Sequence, residues 1–365
     1  MRTVAKVLGS IAVVLLTACA DSGTTPSTNQ AMSFGGTEPA RQITVMSRNM
    51  YLGAEHNALR IALSNGTTSD DNAAILAAYQ TLKQTDYDLR VEAVVNEIVR
   101  NRPAVVGLQE VSQIDIELAT IEDVPMSIHG DFMVDLQNEI AHRELPYVVA
   151  SKVQNWVAAP AAGVKLVDFD VVLVDPTQVR VNAIFSHTFS KNLGSVNGLT
   201  QVRGWTGIEA TYAGQPFVFV STQLEQGAEN AHLRAEQAAE LMQAMANRPR
   251  VILLADLNDV PGSRAYRRIG ESSFKDGWRD LRPEEPGFTG MMQPDLATEH
   301  PRLTQRIDFV FAKGISFPQE GLIGDILLTG IGKTDRIQGP EHPIWPSDHA
   351  GVVARFRLPF MTIDE

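Results

Sequence analysis

The sequence predicts a mixed α/β fold in which two stacked sheets lie between helices. Residues 88–100 carry valine and isoleucine side chains at the spacing of one buried helix face. From residue 146 onward, most segments are rich in β-branched and aromatic side chains, which is typical of strands. Residues 217–220, Phe-Val-Phe-Val, are apolar on both alternating faces, as expected for an inner strand between packed layers. A helix–sheet–sheet–helix sandwich accommodates this order of elements.

Composition indicates a globular protein with one folded domain. The chain has 365 residues, of which 44% are hydrophobic and 20% are charged. No internal repeat and no second linker follows residue 41, so we expect a single domain over residues 42–360 that is a monomer. The net charge of −12 repels nucleic-acid phosphates and anionic lipid at long range, unless a local cationic patch or a bound metal reverses the field.

The N-terminal residues have the pattern of an export signal. Arg2 and Lys6 precede an apolar run over residues 7–16. This run is too short to span a bilayer as a mature helix, but it suits the core of a signal peptide. The sequence therefore predicts a signal peptide over residues 1–18.

The only cysteine of the chain, Cys19, follows this leader directly. Residues 16–19, Leu-Thr-Ala-Cys, resemble the bacterial lipobox, in which the cysteine becomes the acylated first residue of the mature protein. Residues 19–41 are rich in Ser, Thr, Gly and Pro and predict a flexible tether. We therefore expect an exported lipoprotein anchored through Cys19 in a bacterial cell envelope, at the outer membrane or cell surface. The alternative is an ordinary secretory leader. A single cysteine also excludes an intrachain disulfide.

The remaining elements follow from local patterns. Asp88 is the predicted N-cap of the first helix, and Pro103 follows its end. Residues 113–144 are acidic with weak helical character and are interpreted as an insertion beside the site. Two further helices are predicted at Ala231–Ala246 and Ser263–Ile269. Strands are predicted at Ile43–Ser47, Ala104–Leu108, Tyr147–Ser151, Phe169–Val174, Gln178–His187, Gly207–Tyr212, Phe217–Thr222, Val251–Ala255, Ile307–Ala312 and Gly351–Arg357.

Polar side chains stand at the ends of several predicted strands. Strand ends that meet at one rim of a sandwich commonly build a functional site. The segments are SRNM at 47–50, GLQE at 107–110, LADLN at 254–258, RIDF at 306–309 and SDHAG at 347–351. Asp168 and Asp170 also precede a strand; they are interpreted as a solvated strand start, with support of the site as the alternative.

Three of these side chains offer hard oxygen ligands. Asn49, Glu110 and Asp348 carry the amide and carboxylate oxygens that Mg²⁺ and Mn²⁺ prefer, with water completing the shell. A carboxylate after a buried strand, such as Glu110, is costly unless it is solvated, paired or bound to a cation. The alternatives are a solvated acid at Glu110 and a turn residue at Asn49. The set predicts a site for one or two divalent ions.

Four further side chains suit the attack of water on phosphorus. Asp256 and Asn258 share a face in an extended chain, so the carboxylate can deprotonate water while the amide donates to a developing charge. An Asx-type turn is the alternative reading of this pair. Asp308 lies inside an apolar strand and needs a partner. It can hold the tautomer of His349, or it can bond to a backbone N–H or to Arg306. Together these residues predict metal-assisted hydrolysis of a phosphate ester.

The segments in combination resemble the endonuclease/exonuclease/phosphatase superfamily, which includes pancreatic-type deoxyribonucleases, AP endonucleases, neutral sphingomyelinases and inositol-polyphosphate phosphatases. The matching motifs are, in order, SRNM, GLQEV, STQLE, LADLND, RIDFVF and SDHAGV, and they span residues 43–357. The resemblance implies a four-layer α/β/β/α sandwich of two mostly antiparallel stacked sheets flanked by helices. The roles that it implies are metal binding by Asn49, Glu110 and Asp348, water activation by Asp256, phosphate binding by Asn258, and contact with the phosphoryl oxygen or proton transfer by His349, oriented by Asp308.

The STQLE motif departs from the family pattern. The family commonly has N-T-H-L, where this chain has Ser221-Thr222-Gln223-Leu224, so Gln223 stands in the place of the histidine. A glutamine can donate an N–H to phosphate, but it carries no charge and transfers no proton. AP endonucleases have a tyrosine at that place. The departure keeps an alternative function open, namely a catalytically weak or inactive surface-tethered binding module on the same fold.

The predicted function is hydrolysis of a phosphodiester, in nucleic acid or in a lipid headgroup, with Mg²⁺ or Mn²⁺ as the cofactor. Gln223 is included in the catalytic set. The candidates for binding the substrate phosphate are Arg48, Arg203 and Arg306, and surface or ion-pair arginines are the alternative reading of each.

Overall fold

Two large β-sheets form the centre of the fold in the computed structural model, which describes residues 42–54, 68–158, 164–196, 199–290, 292–315 and 325–357. The predicted signal peptide, Cys19 and the tether lie outside the described residues. The described strands are, in chain order, β1 (Gln42–Asn49), β2 (Val105–Gln109), β3 (Gln113–Ile121), β4 (Val124–Asp131), β5 (Val148–Ala158), β6 (Val164–Val174), β7 (Val179–Thr188), β8 (Gly194–Val196), β9 (Leu199–Gln201), β10 (Gly204–Tyr212), β11 (Gln215–Gln223), β12 (Val251–Asp256), β13 (Lys275–Asp276), β14 (Asp308–Lys313), β15 (Ile326–Thr329), β16 (Ile337–Gln338), β17 (Pro343–Ile344) and β18 (Gly351–Arg357).

The two sheets are mostly antiparallel. The first has the order β15-β18-β1-β2-β6-β5-β9-β8, with β3 paired to β6 and β4 to β3. The second has the order β13-β14-β12-β11-β10-β7. Only the pairs β1/β2 and β11/β12 are parallel among the described strands. Each parallel pair is connected through a helix, as parallel strands require.

Helices cover the outer face of each sheet. The described helices are α1 (Thr68–Thr85), α2 (Tyr87–Asn101), α3 (Phe132–His142), α4 (Ala231–Met245), α5 (Arg264–Glu271) and α6 (Gly277–Leu281). Apolar side chains of α2 and α3 pack on the first sheet, and those of α4 and α5 pack on the second. The predicted four-layer α/β/β/α sandwich is thus confirmed. No helix among the described residues combines the length and the apolar character needed to span a bilayer.

The alternation of side chains along each strand separates the inner core from the outer ones. In β12, Ile252 and Leu254 face the other sheet, whereas Val251 and Leu253 face the α4 side. This strand is therefore buried on both faces, which explains its continuous apolar run. Gly107 lets the sheets approach closely, because a Cβ at this position would lie 2.6 Å from the Leu254 Cβ atom.

The interpretation of residues 113–144 as weakly helical is wrong for its first half. That half is the hairpin β3–β4, in which Ile114 and Ile116 are buried at the two-residue spacing of a strand. The helix that follows, α3, begins after Asp131, whose side chain accepts from the N–H groups of Met133 and Val134. The many acidic residues of the hairpin lie mostly on its exposed face. An interpretation based on the acidic composition therefore overlooked the alternation of apolar and polar residues that indicates a strand.

The predicted cap of α2 also requires correction. The N-cap is Asp86, whose side chain accepts from the Leu89 N–H, and Asp88 lies in the first turn. Both positions suit an acid, because a helix N-terminus attracts negative charge. The helix α1 was missed, because its apolar residues form only a weak stripe; Ile75, Tyr79 and Leu82 pack it against the β3–β4 hairpin.

Candidate active site

The site lies at one rim of the sandwich. There, the strands whose inward-facing side chains form the core between the two sheets come to an end. In β12, Asp256 follows Leu254 on the face that looks toward the other sheet. Asn49, Gln223 and Asp308 have the equivalent inward position at the ends of β1, β11 and β14. On each of these strands, the inward-facing position at this rim therefore carries a polar side chain, whereas the inward-facing positions that line the core carry apolar ones.

Strand register brings three of these residues into one row across the second sheet. Gln223 pairs with Asp256 in the parallel β11/β12 ladder. Asp256 pairs with Asp308 in the antiparallel β12/β14 ladder. On the first sheet, Asn49 pairs with Gln109, and Glu110 follows directly. The predicted site residues thus come from both sheets.

Two side-chain amides join Glu110 to Asp256. The Asn49 Nδ2 atom donates to Glu110 Oε1 at 3.1 Å and to Asp256 Oδ2 at 3.0 Å. The Gln223 Nε2 atom donates to the same two oxygens, at 2.8 and 3.0 Å. Each amide nitrogen carries two hydrogens, so each can serve both carboxylates at once. The two amides therefore link the two acids in one hydrogen-bonded cluster.

His349 is held by an acid on each side. Its Nδ1 atom lies 2.8 Å from Asp308 Oδ2, and its Nε2 atom lies 3.8 Å from Asp348 Oδ1. Burial lowers the pKa of His349, but the charges of Asp308 and Asp348 outweigh burial and raise it well above the ordinary value. The two acids therefore favour the protonated imidazole, and Asp308 lies at hydrogen-bonding distance from its Nδ1 atom.

Burial gives two of the carboxyl groups raised pKa values. Burial and the neighbouring charge of Asp308 raise the pKa of Asp256 from 3.8 to about 6. Burial, with the charge of Glu110, raises the pKa of Asp348 to about 7, although His349 opposes the shift. Perturbed carboxyl groups of this kind concentrate at functional sites. In both groups burial is the largest cause of the shift, and the charge of His349 opposes it.

The side chains offer two positions for a divalent cation. One is the predicted set of Asn49, Glu110 and Asp348, whose donors are all oxygens. Tyr51 N–H donates to Asn49 Oδ1 at 2.7 Å, which leaves that oxygen a second lone pair for a metal. These donors suit a hard cation such as Mg²⁺, which would also offset the uncompensated charge at Asp348.

The second position is formed by Asp256, Asp308 and His349, which each place one ligand atom within 4.8 Å of the others. The Nδ1 atom of His349 is already bonded to Asp308, so Nε2 is the ring nitrogen left for a metal in this group. The first set offers oxygen donors alone, which hard cations prefer, whereas the second group combines two carboxylates with one ring nitrogen.

Asn258 lies beside Asp256 through its backbone. Its N–H donates to Asp256 Oδ1 at 2.9 Å, and its side-chain Nδ2 donates to the Leu224 carbonyl at 3.0 Å. This is the Asx-type turn that was the alternative interpretation of the sequence, and it fixes the Asp256 carboxylate.

Three residues around the site have a left-handed backbone. Asn258 has a φ of 48°, Glu110 of 56° and Tyr51 of 60°. Left-handed backbone at three non-glycine residues around one site is costly and is common where geometry serves function.

The three candidate arginines all have buried guanidinium groups. Arg48 is fully buried and bonds to Glu97 of α2 at 2.8 Å, because strand alternation places it on the opposite face from Asn49. Arg306 is bonded to Asp276 at 2.7 Å. Arg203 is 1% exposed and donates to the side-chain oxygen of Gln223. None of the three is presented to solvent for the expected phosphate contact.

Other supporting residues lie beneath the site. Asp170 is fully buried and accepts from the Gln223 backbone N–H at 2.8 Å, and Ser112 donates to Asp168 at 2.8 Å. These two acids are therefore not a solvated strand start.

Arg90 is a supporting residue that the sequence did not predict. It donates to the carbonyls of Met50 and Tyr51 and so fixes the loop after Asn49. Its signal was weak, because an arginine in an amphipathic helix normally marks the solvent face.

Comparison with known proteins gives a family match and a set of structural neighbours. Residues 78–349, more than half of the chain, match the model of the Endonuclease/Exonuclease/phosphatase family. The matched range contains Glu110, Gln223, Asp256, Asp308 and His349. Among curated proteins, none matches the sequence.

Solved structures of the same fold are similar over most of the chain. An endonuclease/exonuclease/phosphatase from Bacteroides vulgatus is 15% identical with a TM-score of 0.52, over 87% of this chain and 100% of that one. One from Beutenbergia cavernae DSM 12333 is 20% identical with a TM-score of 0.51, over 87% and 72%. D. rerio TDP2 complexed with single strand DNA product is 14% identical with a TM-score of 0.51, over 87% and 99%. At such low identity these likenesses show the fold.

Proposed function

The chain belongs to the endonuclease/exonuclease/phosphatase family, and from that premise we propose that it is a divalent-metal-dependent phosphodiesterase. Membership implies metal-dependent hydrolysis of phosphate esters in general. The observation that carries the specific proposal is the row of Gln223, Asp256 and Asp308 beside a charged His349. It supplies a base at the end of β12 and a cation from the turn before β18, as attack on a phosphodiester requires.

In the proposed reaction, Asp256 accepts a proton from the attacking water. Its carboxylate is held by the backbone N–H of Asn258 and by the amides of Asn49 and Gln223. A raised pKa makes it a stronger base than an ordinary aspartate, while it is still ionised at neutral pH.

His349 balances the charge that develops on the phosphoryl group. Asp308 keeps its Nδ1 atom bonded, so Nε2 is the nitrogen left to face a substrate oxygen. The imidazolium can donate to that oxygen or protonate the departing alkoxide. Asn49, Glu110 and Asp348 would hold the Mg²⁺ or Mn²⁺, which supplies Lewis-acid stabilisation of the phosphoryl oxygens when bound.

Two classes of substrate fit this chemistry, and the site favours neither. D. rerio TDP2 is complexed with single strand DNA product, which supports a nucleic-acid phosphodiester as a candidate. The net charge of −12 opposes tight binding of long duplex DNA, because neither the surface charge nor the buried arginines neutralise phosphates. A lipid headgroup is the other candidate, since an acylated monomer would meet it on the membrane.

A panel assay tests the proposal. The purified domain is assayed on single-stranded DNA, RNA, a phospholipid and a sugar phosphate, with Mg²⁺ and with chelator, next to Asp256→Asn. We expect turnover of a diester that requires the cation and is lost in the variant. Turnover unaffected by both changes would reject the assignment. Complete absence of turnover would favour the alternative, an inactive binding module, to which Gln223 in place of histidine points.

We further propose that the protein is a lipoprotein of the cell envelope. The support is the single cysteine, Cys19, at the end of an apolar leader. Radiolabelled palmitate should be incorporated into the full chain and not into Cys19→Ser, with the variant released from the membrane fraction. Equal membrane binding by both forms would contradict the anchor.

A further inference from the structure

The side chain of Gln223 has opposite chemistry at its two ends. Its Nε2 atom faces the carboxylate oxygens of Glu110 and Asp256. Its Oε1 atom accepts from Arg203, which is a donor only. Reversal of the amide would place its oxygen against two carboxylates and its NH₂ group against a cation. The neighbours therefore select one of two orientations that have nearly the same shape.

Asn49 provides a useful comparison, because its amide has the same arrangement. Its NH₂ group bridges the same two carboxylates, and its oxygen accepts from the Tyr51 backbone N–H at 2.7 Å. The oxygen of Asn49 is thus anchored by its own turn. The oxygen of Gln223 is anchored by the side chain of Arg203, which immediately precedes β10, and glutamine has one more rotatable bond to restrain.

Arg203 is itself held firmly enough to act as an anchor. It is 1% exposed, and its guanidinium lies 3.6 Å from Glu225 and 4.0 Å from Asp168. Burial lowers its pKa, but these carboxylates outweigh burial and raise the pKa above its ordinary value. Glu225 is fixed in turn by Gln201, whose Nε2 atom donates to it at 2.6 Å. The guanidinium is therefore a buried, charged donor placed by ion pairs, and its Nε and Nη2 atoms have no hydrogen-bond partner among the described residues.

We propose that Arg203 is a positioning residue that orients the Gln223 amide. Gln223 is more flexible than the histidine or tyrosine ring at this position in the family, and Arg203 restrains it in one orientation. The inference rests on the proposed function, which needs Glu110 and Asp256 to be bridged by donors. It also reassigns Arg203, which the sequence suggested as a contact for substrate phosphate.

The first test uses the metal-free protein and needs no turnover. The side-chain ¹⁵N–¹H₂ signals of Gln223 are assigned by their loss in Gln223→Leu. We expect their hydrogen exchange to be at least about tenfold slower than that of exposed Gln137, and to accelerate by about 10- to 100-fold in Arg203→Met. Arg203→Lys should restore part of the protection. Fast exchange in the wild-type protein overturns the proposal, even if Arg203→Met does not fold.

The second test is a double-mutant cycle on bis(p-nitrophenyl) phosphate with Mg²⁺. Arg203→Met and Gln223→Leu should each lower kcat by about 10- to 100-fold with little change in KM, and the double variant should fall no further than the worse single one. Additive losses, or a rise in KM confined to Arg203→Met, would show a direct role in binding substrate. Arg143→Met, which removes a partly buried arginine paired to Glu139, is the matched control. An inactive wild-type protein would reject the proposed function while the exchange result still stands.

Discussion

His349 Nδ1 and Asp308 Oδ2 lie 2.8 Å apart in a site where both side chains are buried. The two residues come from segments separated by 41 positions, β14 and the turn before β18. Thr289 Oγ1 accepts from the Asp308 backbone N–H, so the preceding segment also fixes the start of β14. The pair fixes one ring nitrogen and leaves the other directed toward Asp348 and the substrate side.

Replacement of Asp308 by asparagine tests this pair. The variant keeps the shape but removes the charge that holds the imidazole protonated, so we expect kcat to fall by about 10²-fold or more. His349→Ala should fall at least as far, and the double variant should be no worse than His349→Ala. Steady-state rates and a thermal melt of each variant are the measurements. An exposed aspartate, Asp280→Asn, is the control, and additive losses would show that Asp308 acts independently of His349.

Asp256→Asn tests the base. Loss of a positioned base typically costs about 10² to 10⁴ in rate, and the isosteric amide preserves the packing, so kcat should fall while KM changes little. In the active protein, kcat/KM should rise with pH along an acid limb centred near the raised pKa of Asp256, about 6. Since the ionised carboxylate is the base, activity is lost as pH falls. If the residual activity of Asp256→Asn shows the same acid limb as the wild-type protein, a group other than Asp256 is responsible for that titration.

Strand period and strand-end polarity were sufficient to predict most of the fold and the convergence of Asn49, Glu110, Asp256 and Asp308. Each of these follows an apolar run, and apolar runs buried between two sheets end at a common rim. Long-range partners were not predictable in the same way. Nothing in the residues around Arg203 indicates that Gln223 is its partner, because that contact depends on how β10 and β11 meet.

The sequence analysis also did not establish toward which face of a strand each polar side chain points. Arg48 and Asn49 are neighbours in one motif, yet alternation sends one to Glu97 and the other to Asp256. The sequence contains this information in the parity of Ile43 and Val45, which share the face of Asn49. A parity count would have excluded Arg48 as a phosphate ligand.

Chelation tests the cation. Mg²⁺ should raise the melting temperature of the wild-type protein and EDTA should reverse the rise, because a cation offsets the clustered charge of Glu110 and Asp348. Asp348→Asn and Glu110→Gln should each weaken Mg²⁺ binding by more than the about 10- to 100-fold that is typical of an outer-shell partner. Isothermal titration measures this directly. Unchanged affinity in both variants, together with a loss in Asp308→Asn, would move the cation to the Asp256–Asp308–His349 group.

Asp168 makes a distinct prediction for stability in the presence of chelator. Burial and the charge of Glu110 raise its pKa from 3.8 to about 7 in the folded protein. The folded state therefore holds the proton more tightly than the unfolded state does, so the contribution of Asp168 to stability is full at low pH and is lost as pH rises from 3.8 to about 7. Each pKa unit corresponds to about 1.4 kcal/mol, so the loss amounts to a few kcal/mol. Asp168→Asn does not titrate, and it should be more stable than wild type in urea at pH 8 and nearly equal to it only below pH 3.8, where both states of the wild type are protonated. Asp123→Asn, at an exposed hairpin turn, should show no such dependence. Equal destabilisation of Asp168→Asn at both pH values would mean instead that Asp168 stays ionised as a partner of Arg203.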